Sequence, residues 1–155
     1  KGVIRRADRG SRQIDVPGMP ALPPAGLHAL PLFGTIPAGP PQQFHATEAE
    51  ANPVFDETVL GFRPKEGCFV LKVRGDSMKD AGILNGDSVV IEPNPSPRAG
   101  QIVAALIDGE STLKRLVRVR NNWFLKAENP AYAELYPRAD LVIQGVVRTV
   151  IRRLD

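Results

Sequence analysis

Two short stretches hold the residues whose types could do chemistry together. Gly75-Asp76-Ser77-Met78 follows an apolar run, and glycine beside serine at a strand end permits a tight turn that exposes the hydroxyl. Backbone N–H groups around such a turn can converge on one point, as stabilising an oxyanion requires. A second reading stays open at this position, in which Ser77 caps a short helix after the strand. Lys114, in Ser111-Thr112-Leu113-Lys114-Arg115-Leu116, could serve as a general base only if burial or a cationic neighbour kept its amine neutral. The other reading is a solvated strand lysine. Alternation places it with Thr112 and Leu116, opposite Leu113 and Val117, and does not decide between the two.

Other chemistries find less support. His28 and His45 have no partner at metal-ligand spacing, and no acid is placed to order a Ser-His-Asp triad. Asp76, Asp80 and Asp87 match no cation loop and suit turns instead. Cys68, the single cysteine, starts an apolar strand and reads as core; it excludes an intrachain disulfide and fits a reducing cytoplasm. No phosphate-binding glycine loop is present. The sequence thus calls for no cofactor and no metal.

The elements that must position Ser77 and Lys114 are short strands. Cys68–Arg74, Ser88–Glu92, Gln101–Ile107 and Leu141–Val147 are β-branched or alternating runs bounded by turn residues. Thr112–Arg120 and Trp123–Lys126 form a hairpin with Asn121-Asn122 as its expected turn. The only helices expected are a turn around Ser77–Ala81 and another near Ala131–Leu135. Fifteen prolines and fourteen glycines in 155 residues agree with a mainly β fold, an open barrel or folded sheet. With 43% hydrophobic residues the composition is that of a globular protein, and the net charge of +3 is too mild to argue for nucleic-acid binding by itself. No apolar run approaches the roughly 20 residues needed to span a bilayer, and no signal-peptide core is visible at the start.

Three regions are expected: a small hairpin over 1–16, a proline-rich linker over 17–30 carrying Pro17, Pro20, Pro23 and Pro24, and one compact domain over 31–155. A lone hairpin is marginal in water, so residues 1–16 are read as the remnant of a domain that precedes Lys1.

Taken together, several segments resemble the LexA family of self-cleaving serine–lysine peptidases. Leu32-Phe33-Gly34-Thr35-Ile36-Pro37-Ala38-Gly39-Pro40 is similar to its self-cleavage segment, Val73-Arg74-Gly75-Asp76-Ser77-Met78-Lys79-Asp80 to its nucleophile motif, and Thr112-Leu113-Lys114-Arg115-Leu116 to its general-base motif. They occur in the family's order, with Ala81–Asp87 and Ala127-Glu128-Asn129-Pro130 as further landmarks. The hairpin over 1–16 is similar to the wing that ends the family's winged helix-turn-helix DNA-binding domain.

The resemblance implies a transcriptional repressor of DNA-damage (SOS) genes that cuts its own Ala38–Gly39 bond. Ser77 would be the nucleophile, Lys114 the general base, and the backbone N–H groups of Ser77 and Asp76 the oxyanion donors. It also implies a cytoplasmic homodimer, joined through the strands around Leu141–Ile151, with Val146, Val147, Val150 and Ile151 as apolar surface. Its partners would be operator DNA, bound through the preceding domain, and a RecA filament on single-stranded DNA, which favours docking of the cleavage segment. Arg148, Arg152 and Arg153 read as a solvated fringe. Two features depart from the family pattern: Pro37 before the scissile residue, and a longer, more polar stretch over 41–55. Rival readings are a phage-type repressor, a UmuD-like polymerase accessory protein, a signal peptidase, and a dimerisation module that does not cut.

Because only a wing remnant is present, this chain is expected not to bind operator DNA specifically. A gel shift across operator and scrambled duplexes should show equal, weak retardation; tight binding to one sequence would contradict the reading.

Overall fold

The computed structural model describes residues 24–36, 39, 41–45, 47–94 and 96–155. The hairpin expected over 1–16 and the first part of the expected linker, 17–23, lie outside the described residues. Residues 27–30, expected in the linker, are part of the folded domain. Leu27–Ala29 forms a first strand, β1, and Leu30 is buried under Leu60 and Val70. The apolar pair Leu27 and Leu30 outweighs the proline density that suggested linker through residue 30.

The remaining elements follow in order: β2 Leu32–Phe33, β3 Val54–Asp56, the one-turn helix α1 Glu57–Leu60, β4 Phe69–Lys72, β5 Ser88–Glu92, β6 Ile102–Ile107, β7 Glu110–Val119, β8 Asn122–Lys126 and β9 Leu141–Ile151. The fold is therefore mainly β, as expected. β1 pairs with β3, and the other seven strands make one sheet in the order β2-β4-β5-β9-β6-β7-β8. Only β2 and β4 run parallel; the remaining neighbours are antiparallel.

The longest strand, β9, runs through the middle. Its register shifts against β5 between Val90 and Ile91, and against β6 between Ala104 and Ala105. One extra β9 residue is left at each shift, Arg148 and Gln144, which bends the strand and re-aims those side chains. Between them Gly145 lets β5 approach closely, since a Cβ there would lie 2.5 Å from the Glu92 carbonyl oxygen.

The bent sheet encloses separate cores. One contains Phe33, Ile36, Phe69, Met78, Ile91 and Leu113; a second contains Val103, Ala105, Leu116 and Leu125; a third gathers Leu30, Leu60, Cys68, Val70 and Val90. β4 and β5 are buried on both faces, so they read as near-continuous apolar runs. Each large side chain fully buried in this way contributes about 1.5–3 kcal/mol.

Local chemistry explains where the elements differ from expectation. The β7–β8 turn is Arg120-Asn121, one residue earlier than expected, with Arg120 at φ 56° and Asn122 already paired to Val119. This register sets Leu116 opposite Leu125 in the second core. A turn at Asn121-Asn122 would set Leu125 opposite Arg118 instead. The β6–β7 turn, Asp108-Gly109, has both residues at positive φ (49° and 85°), as a tight hairpin between twisted strands requires.

No helix forms near Ala131–Leu135. Asn129 Oδ1 accepts from the Ala131 N–H, and Leu135 exchanges backbone hydrogen bonds with Leu125. Conversely α1 was not expected; it is a single turn, too short to leave a period, capped by Asp56 and closed by Gly61 at φ 77°.

The C-terminal arginines are exposed, as expected, but Arg148 and Arg152 also make structural contacts. Arg148 pairs with Glu92 at 2.8 Å and lies over the Phe62 ring. Arg152 grips Asp87 through two bonds of 2.7 and 2.8 Å and also donates to the Gly82 carbonyl. Asp87, 1% exposed, accepts from the Leu84 N–H as well. The pair thereby ties the loop that follows the Ser77 turn to the end of β9.

The Arg152 hydrogen bonds hold the Asp87 carboxyl below its ordinary pKa of 3.8. A carboxylate with a depressed pKa stabilises the fold at higher pH and ceases to do so as pH falls through its folded pKa. Asp87→Asn should therefore lower stability at pH 7 by about 2 kcal/mol. The difference from wild type should narrow below pH 3.8. Denaturant unfolding across pH checks this, and an equal difference at pH 7 and pH 3 would contradict it.

Candidate active site

The Ser77 turn grows directly out of β4. Past Lys72 the chain is clamped to the Asp87 loop by two backbone bonds, Val73 N–H to Asp87 O and Gly86 N–H to Val73 O. Gly75 then takes φ 83°, a region that disfavours other residues, and donates its N–H to Asn85 Oδ1 at 2.9 Å. Met78, 2% exposed, plugs the turn into the first core, and a single 3-10 turn, Lys79–Ala81, closes it. Met78, not Ser77, occupies the cap position of that turn, and no side chain caps it. The Ser77 hydroxyl faces Lys114 instead.

Lys114 reaches the same point from the middle of β7, opposite Val103 of β6. It is 8% exposed, not a solvated strand lysine. Its Nζ lies 2.9 Å from Ser77 Oγ, 2.9 Å from Thr112 Oγ1 and 3.1 Å from the Leu113 carbonyl oxygen. Among the described residues no carboxylate pairs with it. Burial alone pushes its pKa below the ordinary 10.5, because the ammonium form is deprived of water with no counter-charge in return. A serine hydroxyl against a lysine biased towards the free amine is a pair able to move a proton and open a nucleophile.

A cleft of about 220 Å³ opens beside the pair, lined by Gly34, Thr35, Gly75, Ser77, Ser111, Thr112 and Lys114. The segment leading towards the expected cut site therefore lies in the cleft. Phe33 pairs with Leu71, Ile36 is 6% exposed against the first core, and the Ile36 N–H donates to Ser111 Oγ at 3.1 Å. Pro37 and Ala38 are outside the described residues. Gly39 follows at φ 93°, and its carbonyl accepts from Gln144 Nε2 at 2.9 Å. Phe44 then packs edge-on against Phe33 and Phe69.

Asp76 is held from the 127–132 loop. Its carbonyl accepts from Asn129 Nδ2 at 3.0 Å, and its carboxylate accepts from the Tyr132 hydroxyl at 2.6 Å. The Asp80 N–H donates to Glu128 O.

Among the described residues no group of three or more His, Cys, Asp or Glu could hold a metal ion. His28 is bonded to Glu57 at 3.1 Å. Asp76 and Asp87 are committed to Tyr132 and Arg152. Cys68 is buried in the third core, which pushes its thiol pKa up. Also among the described residues, no helix is long and apolar enough to cross a membrane.

Ser77 and Lys114, far apart in sequence, are thus brought together, while Gly39 is held against Gln144 of β9. Asn85 and Asn129 belong to segments the sequence already singles out. The contacts of Ser111, Tyr132 and Gln144 were not anticipated. For Gln144 the one available signal was a polar residue interrupting the apolar run Leu141–Val147.

The domain is of the peptidase class: a model of the S24-like peptidases matches residues 31–148. The LexA repressor of Verrucomicrobium spinosum is 43% identical over 155 residues, covering 98% of this chain and 73% of that protein. The LexA repressor of Ectopseudomonas mendocina is 39% identical, covering 99% of this chain and 74% of that protein. The LexA repressor of Opitutus terrae is 44% identical over 129 residues. The chain belongs to the LexA repressor family, with its self-cleaving S24-type peptidase fold.

A lysine whose folded pKa is depressed opposes folding wherever the unfolded chain would hold the proton, and this cost vanishes as pH rises to 10.5. Lys114→Met should therefore be at least as stable as wild type at pH 7. Its advantage should shrink as pH approaches 10.5. Thermal unfolding over that range decides it; a Tm several degrees below wild type at pH 7 would contradict the account.

Proposed function

We propose that this protein is an SOS repressor that inactivates itself by cutting its Ala38–Gly39 bond with a Ser77–Lys114 dyad. The observation that carries the reading is the 2.9 Å approach of Lys114 Nζ to Ser77 Oγ, with a lysine pKa lowered by burial and no acid beside it.

Neutral Lys114 takes the proton of the Ser77 hydroxyl as Oγ attacks the Ala38 carbonyl carbon. The backbone N–H groups of Ser77 and Asp76 steady the oxyanion, held in place by the Asn129 bond to the Asp76 carbonyl. As the tetrahedral intermediate collapses, the C–N bond breaks and Lys114 returns the proton to the Gly39 amine. Water, activated by the same amine, then hydrolyses the Ala38 ester, releases its carboxylate and restores Ser77.

Regulation follows from the same chemistry. Docking of the cleavage segment excludes water from Lys114, so whatever favours the docked state favours the neutral amine. A RecA filament on single-stranded DNA would act in this way. Cutting would separate the DNA-binding half, of which residues 1–16 are the wing, from the dimerising half, and the repressor would lose bivalent grip on its operator. Val147 and Val150, with Ile102 and Ala81, line a shallow concavity suited to the homodimer contact. Val146 also lines it, although it is only 5% exposed and packs in the second core. A cytoplasmic location fits a repressor that meets DNA and RecA. The relatives' printed names favour a LexA repressor over a phage-type or UmuD-like protein.

Incubation at alkaline pH, followed by intact-protein mass spectrometry, tests the reading. Two fragments, one ending at Ala38 and one starting at Gly39, are expected from wild type and absent from Ser77→Ala and Lys114→Ala. Since the free amine is the active form, the rate should climb with pH and level off below the ordinary lysine range. A chain left intact even with RecA filaments, or fragments persisting in Ser77→Ala, would overturn it.

A further inference from the structure

We infer that Gln144 is a positioning residue that latches the backbone of the cleavage segment through the Gly39 carbonyl. The inference rests on the self-cleavage proposed above and concerns what holds the segment in place.

Gln144 is 3% exposed, one of few polar side chains buried among the described residues. It is the extra β9 residue where the register with β6 shifts, so the bulge re-aims its side chain out of the regular alternation. Its Nε2 donates to Gly39 O at 2.9 Å, across 105 residues of sequence. Gly39 sits at φ 93°, and a Cβ there would meet nothing closer than 3.6 Å, so conformation rather than space calls for glycine.

On the other side of the scissile bond the Ile36 N–H donates to Ser111 Oγ. Two side chains from the sheet thus hold backbone atoms on either side of Ala38–Gly39. Both contacts read the main chain and are indifferent to side-chain identity. They fix its path relative to β6, β7 and β9, the strands that also carry Lys114 and its neighbours.

The latch also biases the position of the segment. If Gly39 leaves, a buried amide loses its acceptor, and an unsatisfied buried donor is costly. Gln144 therefore favours the path of the segment in which Gly39 lies against β9; on the self-cleavage reading that path presents Ala38 to Ser77, and a partner that promotes cutting has less of the equilibrium to shift. After the cut Gly39 becomes a chain start, yet its carbonyl is still available to Gln144.

The test uses two variants in the otherwise intact chain. Gln144→Met keeps bulk and removes the donor; Gln144→Glu puts a carboxylate against the carbonyl. Self-cleavage at alkaline pH should slow about tenfold in the first and further in the second. In a Ser77→Ala background, hydrogen exchange by mass spectrometry should show faster exchange in peptides covering 32–44, with β6 and β9 peptides unchanged. A merely structural role would loosen β6 and β9 as well. Unchanged cleavage in both variants, or equal deprotection of β6 and β9, would overturn the latch. If wild type does not cut at all, the proposed reaction fails, and exchange in the Ser77→Ala chain still decides whether Gln144 holds the segment.

Discussion

A lysine amine buried without an acid is the constraint around which this domain is built. Lys114 offers three donors when charged, and three acceptors surround it: Ser77 Oγ from the turn after β4, and Thr112 Oγ1 and the Leu113 carbonyl from β7. None of them carries charge. Neutral acceptors satisfy geometry but do not repay the lost hydration of an ammonium ion, so burial lowers the pKa of the amine. A carboxylate in the same place would have offset that loss and favoured the ammonium form.

The rest of the structure keeps water and acids away from that amine while holding one hydroxyl against it. Met78 and Ile36 seal the core beneath the cleft, and Leu113 anchors β7 from the same core. Gly75 and Asn85 shape the turn, Asn129 fixes the Asp76 carbonyl, and the Asp87–Arg152 pair locks the following loop to β9. The nearby charges are thus spent on scaffolding: Asp76 is turned to Tyr132, and Asp87 to Arg152. The bulges of β9 set the curvature that lets the Ser77 turn meet β7 from across the sheet.

Much of this was legible in the sequence, and what was not has a common cause. Ser88–Glu92 matches β5 residue for residue, because a β-branched run between turn residues leaves few alternatives. The Ser77 turn could be placed from Gly75, and its pairing with Lys114 from family resemblance. Burial of Lys114 could not be read from alternation, since Thr112, Lys114 and Leu116 share a strand face that changes from cleft to core along its length. The β7–β8 turn moved by one residue because packing of Leu116 on Leu125 outweighed asparagine's turn preference. Gln144 and Arg148 act through bulges, which break the period that sequence reading relies on. Arg152 is a surface residue, as read, but its grip on Asp87 was hidden because the two are distant in sequence.

The central claim is that Lys114 is the free amine in the working state, and direct titration of that amine tests it best. With isotopically labelled lysine, the Nζ of Lys114 can be followed by NMR through a pH series in the Ser77→Ala chain, and the midpoint compared with that of the wild-type cleavage rate. The account predicts a Lys114 midpoint below those of the other lysines, with the cleavage rate rising over the same interval. A Lys114 that titrates with the surface lysines near 10.5, or a rate that is flat through its titration, would contradict it.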